Sequence, residues 1–489
     1  MKRVVPILLS IVLALLLFLS FPVNRSSATQ IAENGKLRVD GTEYDIRIMN
    51  QEFDKNAYIS LRDLARALNG TSKEISVNLT SVDGEDAVVI KSGSYGSVGG
   101  ENVPYDEEEM AESDWVLKNS IKRYKVYIND RECRIYGIWT KNAEGNPDFF
   151  MSTGELAIFL DMDMEYDNGV INIDTSGNCY LDIDTLSSDG FFYMSDCVLV
   201  GDATTGEIYY SQDADAMVSI ASTTKLMTYF VLMDAVTNGE VSLNDTVTFS
   251  ENAERESLTE NGVVRLTAGE SAPIMDVIKA MLIKSSNECA LAIAEHVAGS
   301  EEAFVERMNE KARALGLSDE VHFYNPHGLP HYDDNEVFSS KLQNRMSAND
   351  MFVLCTELLS VYPQITEITS IKKTSLSSLS TDIENTNLLL YNVPEVVGLK
   401  TGTTTKAGSC LVSAAEVTDD EGLTHYIVAI EYGAETQLTQ SYASLVLIKY
   451  GMQEFYERLS GSSEDDKNKL PENAEELIRA VINTAKKHH

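Results

Sequence analysis

The chain has 489 residues, of which 24% are charged, and a formal net charge of −37 at pH 7. This length is sufficient for two or three domains with complete cores. The negative charge argues against nucleic acid as a partner, because phosphate binding requires basic patches, and it favours solubility outside the cell.

The first 28 residues predict a secretory signal peptide. Met1-Lys2-Arg3 precedes an apolar run over 4–21, and Ser26-Ser27-Ala28 supplies small residues at a cleavage position. An uncleaved membrane anchor is the alternative, because roughly 18 apolar residues nearly span a bilayer. We therefore expect an exported protein, located in the cell wall or at the outer face of the cytoplasmic membrane.

Residues 36–175 predict a β-rich domain with an internal repeat. Segments 58–68 and 150–160 share a pattern of an aromatic residue, an apolar residue, a serine, an acidic residue three positions later, and then Leu-Ala and Leu. The serine and the acidic residue have the spacing of a capping box, so each segment predicts a short helix. Strand-like segments with a turn follow each helix, the first turn being Asp83-Gly84.

This repeated pattern resembles the copper amine oxidase N-terminal-like domain found on exported bacterial wall proteins. The resemblance implies a positioning or wall-binding module, and a plain structural spacer remains open. It does not imply copper, because all seven histidines lie at or beyond His296. No metal or cofactor is expected in the chain, since no pair of the six cysteines has metal-ligand spacing.

The rest of the chain predicts a linker, a larger domain and a tail. Ser, Gly and Asp over 176–190 predict the linker. Helical and strand-like segments alternate over 191–459, which we assign to the larger domain. Residues 460–489 form an acidic stretch and then a helix over 472–487, which predicts either contact with a membrane surface or an ordinary terminal helix.

Three short motifs occur in the larger domain in one order: Ser222-Thr-Thr-Lys225, Ser285-Ser-Asn287 and Lys400-Thr-Gly402. Each motif alone is weak, and Ser-x-x-Lys occurs again at 370–373. The ordered set is specific, because it supplies a nucleophile, a base, a proton relay and an anion clamp.

The first motif predicts a nucleophile and its base. Ser222 precedes a largely apolar helix, and Lys225 follows three residues later on the same face. A simple helix cap is the ordinary reading of such a serine. Lysine normally titrates near 10.4, so it must be made less basic to accept the serine proton. We expect the positive charge of Lys400, together with the positive helix end, to lower the pKa of Lys225.

The second and third motifs predict a proton relay and an anion clamp. Ser285 can relay a proton between the base and a leaving amine, and the amide of Asn287 can hold a substrate carbonyl. Plain capping of the following helix is the alternative. In the third motif, Lys400 and Thr401, with Thr404, are expected to bind a carboxylate. Gly402 would let a ligand backbone approach the strand, because it has no side chain.

These motifs and their neighbours resemble the D-alanyl-D-alanine carboxypeptidases, which are low-molecular-weight penicillin-binding proteins. The resemblance covers about residues 195–455 and includes 220–228, 346–351, 398–403 and the run Phe323-Tyr-Asn-Pro-His-Gly-Leu-Pro330. It implies an α+β, serine β-lactamase-like fold: a five-stranded antiparallel sheet packed with a helical cluster, here preceded by the smaller β-rich domain. It also implies an oxyanion hole formed by the backbone N–H groups of Ser222 and Thr403, and a structural role for His327.

The activity implied by this resemblance is serine-type D-Ala-D-Ala carboxypeptidase activity. The enzyme would remove the terminal D-Ala of peptidoglycan stem peptides through an acyl-enzyme, and β-lactam antibiotics would acylate and inhibit it. The catalytic residues would be Ser222, Lys225, Ser285 and Asn287. The substrate-binding residues would be Lys400, Thr401, Gly402, Thr403 and Thr404.

Two other functions remain open from the sequence. A class A-like β-lactamase shares the three motifs but also needs a carboxylate that activates the deacylating water, usually in Glu-x-x-Leu-Asn. No such run lies between Asn287 and Lys400. A non-catalytic wall-binding or penicillin-sensing protein would not need every element of the motif set.

Overall fold

The structure is a computed structural model that describes residues 30–31, 33–50, 57–92, 116–117, 121–141, 147–167, 170–188, 190–330 and 342–461. The chain divides into two compact units between Cys179 and Tyr180. The predicted signal peptide over 1–28 and the predicted terminal helix over 472–487 lie outside the described residues.

The first unit combines one large sheet with two short helices. Its elements are β1 (Gln30–Ile31), β2 (Glu33–Val39), β3 (Thr42–Asn50), β4 (Ala57–Ser60), α1 (Leu61–Leu68), β5 (Ile75–Val82), β6 (Glu85–Ser92), β7 (Val116–Leu117), β8 (Lys122–Ile128), β9 (Arg131–Lys141), β10 (Pro147–Ser152), α2 (Thr153–Leu160), β11 (Asp163–Asp167) and β12 (Val170–Asp174). Ten strands form the sheet in the order β11-β12-β2-β3-β4-β10-β9-β8-β6-β5, and β1 pairs with β7.

The two halves of this sheet have the same succession of elements. Each contains a hairpin, a third strand, a short helix and a final hairpin. The final hairpin of each half pairs with the other half, because β12 runs parallel to β2 and β6 runs parallel to β8. Strands β4 and β10 pair antiparallel at the centre. Each half therefore completes the sheet of the other.

Serine caps start both helices of the first unit. The hydroxyl of Ser60 accepts a hydrogen bond from the N–H of Asp63, and that of Ser152 accepts one from the N–H of Glu155. The acidic side chains of the two capping sequences have different partners. Glu155 accepts a hydrogen bond from the Ser152 hydroxyl at 2.9 Å, whereas Asp63 binds the guanidinium of Arg47.

A buried charge cluster joins the two halves of the first unit. Arg47 Nε lies 3.0 Å from Asp63 Oδ2, and Arg47 Nη2 lies 2.7 Å from Asp148 Oδ2. The Ser60 hydroxyl also donates to Asp148 at 2.7 Å. These side chains are almost completely buried, and Arg47 is the buried cation that both carboxylates share, whereas the exposed Arg66 lies 3.8 Å from Asp63 alone. Burial raises the pKa of Asp148, and Arg47 opposes that effect.

Loss of Arg47 should destabilise the first unit selectively. Because Arg47→Met removes the buried cation that Asp63 and Asp148 share, we expect a loss of about 3–5 kcal/mol in the free energy of unfolding. Both tryptophans, Trp115 and Trp139, belong to this unit, so denaturant unfolding followed by tryptophan fluorescence reports on it alone. The control is Arg38→Met, whose exposed pair with Glu43 should contribute at most about 1 kcal/mol. Equal losses in the two variants would contradict the role given to Arg47.

The second unit contains a smaller sheet and most of the helices. Its strands are β13 (Cys197–Asp202), β14 (Glu207–Gln212), β15 (Val218–Ser219), β16 (Thr246–Thr248), β17 (Ser271–Pro273), β18 (Arg345–Met346), β19 (Lys373–Leu376), β20 (Thr381–Glu384), β21 (Val396–Thr404), β22 (Gly408–Thr418) and β23 (Thr424–Ala434). Its helices are α3 (Ile183–Ser188), α4 (Lys225–Thr237), α5 (Glu251–Ser257), α6 (Ile274–Ile283), α7 (Asn287–Ala298), α8 (Glu301–Ala314), α9 (Ala348–Val361), α10 (Ile365–Thr369), α11 (Leu389–Asn392) and α12 (Gln437–Leu459), with 3-10 turns at Phe191–Met194, Ala221–Thr224 and Ser377–Leu379.

The main sheet of this unit has five antiparallel strands and is covered on both faces. Its order is β14-β13-β23-β22-β21, so β21 is an edge strand. Helix α12 covers one face, where Ser444 donates a hydrogen bond to Glu431 of β23. On the other face, β23 side chains such as Ile430 join the core of the helical cluster. This arrangement confirms the predicted α+β class, with a five-stranded antiparallel sheet and a preceding β-rich unit.

Helix α4 lies inside the helical cluster. Ten of its residues are buried, including Lys225 at its first position. Helices α6, α7 and α8 pack against it, which explains why its sequence is apolar on nearly all sides. The helix ends at Thr237, and Asn238 is its C-cap residue. Helix α3 lies within the segment predicted as a linker, which is therefore partly helical.

No disulfide bond joins any two of the six cysteines, all of which lie within the described ranges, and all but Cys179 are buried. None of the helices over the described ranges is long and apolar enough to cross a bilayer.

Candidate active site

The first motif brings a hydroxyl and an amine together at the start of α4. Ser222 lies in the 3-10 turn Ala221–Thr224, and Lys225 begins the helix. Because the two residues are three positions apart, the lysine side chain returns to the serine. Lys225 Nζ lies 2.9 Å from Ser222 Oγ. Lys225 is fully buried, whereas Ser222 is partly exposed and accessible to a ligand.

Three oxygen atoms surround the amine of Lys225. Besides the Ser222 hydroxyl, these are Asn287 Oδ1 and the main-chain carbonyl of His327, each at 2.8 Å. The amide of Asn287 is oriented by its Nδ2, which donates to the carbonyl of Asn261 at 3.3 Å. The two carbonyl-type oxygens can only accept hydrogen bonds. A neutral amine therefore donates both its hydrogens to them and directs its lone pair at the Ser222 hydroxyl.

The surroundings of Lys225 favour this neutral amine. Burial lowers the pKa of Lys225 well below its usual range, and the positive charge of Lys400 lowers it further. Glu288 and Glu256 oppose both effects. Lys400 and the helix end were the expected causes of the lower pKa of Lys225, but burial is the larger cause. The physical reason is that an ammonium in the core loses its hydration without gaining a carboxylate partner.

The second motif lies in the connection between α6 and α7. Ser285 is partly exposed and has a positive φ of 68°. Ser286 caps α7 by accepting a hydrogen bond from the N–H of Cys289, so the capping role belongs to the middle residue of the motif. Asn287 contacts Lys225 directly. Within the described part of the chain, the Ser285 hydroxyl makes no hydrogen bond to the Lys225 amine, whose partners are given above.

The third motif lies on edge strand β21. Lys400 is buried, and its ammonium donates to the carbonyl of Thr401 at 2.9 Å. Burial lowers the pKa of Lys400 to about 7. The Thr401 hydroxyl lies 2.5 Å from that of Thr386, which belongs to a different segment. Because one of these hydroxyls donates to the other, one hydroxyl proton of the pair is left for a ligand.

Gly402 allows β21 to lie directly against the turn that carries Ser222. A Cβ atom at this position would lie 2.8 Å from the Ser222 nitrogen and 3.1 Å from the Cβ of Ala221. The glycine is thus required by close approach within the protein itself. Thr403 follows with an exposed side chain. The hydroxyl of Thr404 is already hydrogen-bonded within the protein, since it donates to Gln343 and accepts from the N–H of Ala407.

Several contacts of this site have no signal in the three motifs. The carbonyl of His327 is a main-chain group, which sequence patterns do not distinguish. Gly328 has a φ of 89°, and a Cβ there would lie 1.9 Å from the carbonyl oxygen of Ala221. Both residues belong to the run 323–330, which carried part of the family resemblance without a stated contact. Thr386 was not identified from the sequence at all.

No metal site is apparent near these residues. Over the residues that the structure describes, no group of three or more His, Cys, Asp or Glu side chains is arranged to hold a metal ion.

Comparisons with known proteins match the second unit to one family. Residues 192–427 match the family model described as D-alanyl-D-alanine carboxypeptidase. The chain is 34% identical over 239 residues to the D-alanyl-D-alanine carboxypeptidase DacF of Bacillus subtilis (strain 168), covering 47% of this chain and 55% of the relative. It is 30% identical over 257 residues to DacC of Escherichia coli (strain K12), covering 52% and 60%. The resemblance indicated by the motifs is therefore confirmed over this region.

Solved structures with similarity to the chain include penicillin-binding proteins. Penicillin-binding protein D2 from Listeria monocytogenes, in an ampicillin-bound form, is 27% identical, with a TM-score of 0.43, and the match covers 53% of this chain and 98% of that one. PBP3 from Streptococcus pneumoniae is 28% identical, with a TM-score of 0.48 and coverages of 54% and 73%. The chain spans somewhat over half the length of the two curated relatives named above.

The close approach at Gly402 can be tested by its effect on stability. Alanine normally stabilises a strand relative to glycine, but here the added methyl group would press on the Ser222 turn. We expect Gly402→Ala to lower the free energy of unfolding of the second unit by about 1–3 kcal/mol. Differential scanning calorimetry would measure it, with Thr403→Ala as the neighbouring control, expected within about 0.5 kcal/mol of wild type. A Gly402→Ala protein as stable as wild type would rule out the tight contact.

Proposed function

We propose that the protein is a serine-type D-Ala-D-Ala carboxypeptidase that acts on peptidoglycan stem peptides through an acyl-enzyme on Ser222. The observation that carries this proposal is the amine of Lys225, which is buried and bound by two carbonyl oxygens and the Ser222 hydroxyl. Such an amine is a base directed at a nucleophile. The family match over residues 192–427 supports the same reaction.

In the acylation step, neutral Lys225 removes the proton of Ser222 as Oγ attacks the carbonyl carbon of the penultimate D-Ala. The new C–O bond forms, and the carbonyl electrons move to oxygen. We assign stabilisation of this oxyanion to the backbone N–H groups of Ser222 and Thr403. Gly402 directly precedes Thr403, and its lack of a side chain lets this part of β21 lie against the backbone nitrogen of Ser222.

Collapse of the tetrahedral intermediate breaks the peptide C–N bond. The leaving D-Ala amine takes the proton that Lys225 acquired, and we assign its relay to the hydroxyl of Ser285. Asn287 has one Nδ2 hydrogen beyond the one bound by Asn261, and this hydrogen would bind a substrate carbonyl. Water then attacks the acyl-enzyme with Lys225 again as the base, which releases the shortened peptide and restores Ser222.

The terminal carboxylate of the substrate would bind at β21. Lys400 supplies positive charge, and Thr401 supplies a hydroxyl that is paired with Thr386. Thr404 contributes less directly than predicted, because its hydroxyl is already bound to Gln343 and to Ala407. A carboxylate clamp of this kind suits a carboxypeptidase, whose substrate ends one residue beyond the bond that is cleaved.

The proposal extends to the location of the protein and to its first unit. Peptidoglycan lies outside the cytoplasmic membrane, so the segment 1–28 would act as a signal peptide, cleaved or retained as an anchor. The first unit would bind the cell wall or hold the second unit at a distance from the membrane. β-Lactams would acylate Ser222, as the ampicillin-bound form of the Listeria monocytogenes protein suggests for its own site.

Reaction with a β-lactam distinguishes the three functions considered. The purified protein would be incubated with benzylpenicillin, and its intact mass followed over time beside Ser222→Ala. We expect one adduct per chain that lasts many minutes and is absent from Ser222→Ala. Rapid return to free protein with hydrolysed drug would indicate a β-lactamase instead. Absence of any adduct would contradict the enzyme and favour a wall-binding protein without turnover.

The pH dependence of acylation tests the effect of Lys400 on Lys225. Burial lowers the pKa of Lys400 to about 7, so below that pH this lysine carries the positive charge that lowers the pKa of Lys225. Lys400→Met removes that charge, so the pKa of Lys225 should rise. We expect the acid limb of the acylation profile to move upward by about one pH unit or more. Burial remains, so the pKa should stay below that of an exposed lysine.

The control for this measurement is Lys406→Met, which changes an exposed lysine six residues further along the chain. Its profile should coincide with that of wild type. An acid limb that stays in place in Lys400→Met would exclude Lys400 as a cause of the lowered pKa.

A further inference from the structure

A buried carboxylate outside the three motifs lies next to Asn287. Glu288 is the second residue of α7 and has no solvent exposure. Its position in the first helical turn suits a negative charge, because the helix N-terminus carries partial positive charge. Burial of a carboxylate costs free energy unless it has hydrogen bonds or opposite charges nearby. The contacts of Glu288 therefore indicate its role.

One oxygen of Glu288 holds the segment 261–264. Oε1 accepts hydrogen bonds from the main-chain N–H of Val263, at 2.9 Å, and from that of Val264. The same segment supplies the carbonyl of Asn261 that binds Nδ2 of Asn287. The side chains of Asn287 and Glu288 thus fasten one segment at three points. This attachment fixes the amide of Asn287 with its Oδ1 toward Lys225.

The second oxygen of Glu288 leaves the carboxylate incompletely compensated. Oε2 is buried and has no hydrogen-bond partner over the described residues. The charge is close enough to Lys225 to favour its protonated form, in opposition to burial and Lys400. The other titratable groups that act on Lys225 are Glu256, which is partly buried, and the thiol of Cys289. Two lysines, Lys225 and Lys400, and two carboxylates, Glu288 and Glu256, therefore act on one another in this region.

We propose that Glu288 is a positioning residue of the Ser222 site, which orients Asn287 through the segment 261–264 and places a negative charge that counterbalances Lys400. This inference rests on the proposed function, since Lys225 is taken as the base of acylation. A purely structural role for Glu288 would require only the hydrogen bonds to Val263 and Val264. Counterbalancing Lys400 requires the charge of Glu288 as well, so substitutions can separate the two roles.

Glu288→Gln retains an oxygen that accepts the two main-chain N–H groups and removes the charge. The loss of a negative charge near Lys225 favours the neutral amine, so the pKa of Lys225 should fall. We expect the acid limb of the rate of acylation by benzylpenicillin to move to lower pH, by about one unit. This direction is opposite to that expected for Lys400→Met. The melting temperature of each variant would be measured alongside.

Two further carboxylate variants serve as comparison and control. Glu256→Gln should move the limb in the same direction by a smaller amount, because Glu256 is only partly buried and acts more weakly on Lys225. Glu306→Gln changes an exposed carboxylate on α8 and should leave the profile unchanged. A folded Glu288→Gln protein with the wild-type acid limb would overturn the proposal.

If Glu288→Gln does not fold, Glu288→Asp and Glu256→Gln test the proposal instead. Glu288→Asp retains the charge but shortens the side chain, so we expect the wild-type acid limb with an acylation rate at least about tenfold lower. A wild-type rate in Glu288→Asp, or an unmoved limb in Glu256→Gln, would overturn the proposal. The absence of any Ser222 adduct in the wild-type protein would instead contradict the proposed function itself, and this inference with it.

Discussion

The burial of one amine is the constraint on which the candidate active site depends. Lys225 begins a helix that is enclosed by others, and its amine lies among two carbonyl oxygens and the hydroxyl of Ser222. An ammonium in such a place loses its hydration without a carboxylate in contact with it. The enclosing helices therefore have a chemical consequence, because they make the neutral amine the favoured form. Edge strand β21 then closes the site from the side of the sheet.

Buried charge is handled differently in the two units. In the first unit, Arg47 is bound to Asp63 and Asp148 within hydrogen-bond distance, so the charges stabilise one another and join two halves of a sheet. In the second unit, Lys225 and Lys400 are buried without such partners, and both have lowered pKa values. Uncompensated buried lysines of this kind are characteristic of functional sites. The contrast separates a structural cluster from a reactive one within the same chain.

The candidate active site combines opposed electrostatic effects on Lys225. Lys400 disfavours protonation of Lys225, and Glu288 favours it. Each also has a mechanical role, since Lys400 bonds to the carbonyl of Thr401 and Glu288 holds the N–H of Val263. Charge and position are thus set by the same side chains.

The sequence by itself determined the local features of this protein. The spacing of Ser222 and Lys225 places their side chains together, because helical geometry brings residues three apart onto one face. The capping serines of the first unit and the alternation of strands and helices in the second are likewise short-range patterns. They were sufficient to predict the fold class and the family that residues 192–427 resemble.

Only the tertiary structure decided the features that depend on packing. The contact between Lys225 and the carbonyl of His327 joins residues 102 positions apart and uses a main-chain atom that every residue possesses. Burial, rather than Lys400, is the larger cause of the lowered pKa, and burial depends on all the helices around α4. The role of Glu288 follows from hydrogen bonds to two backbone N–H groups. Such effects depend on distance and solvent exclusion in three dimensions, which the order of residues along a chain does not specify.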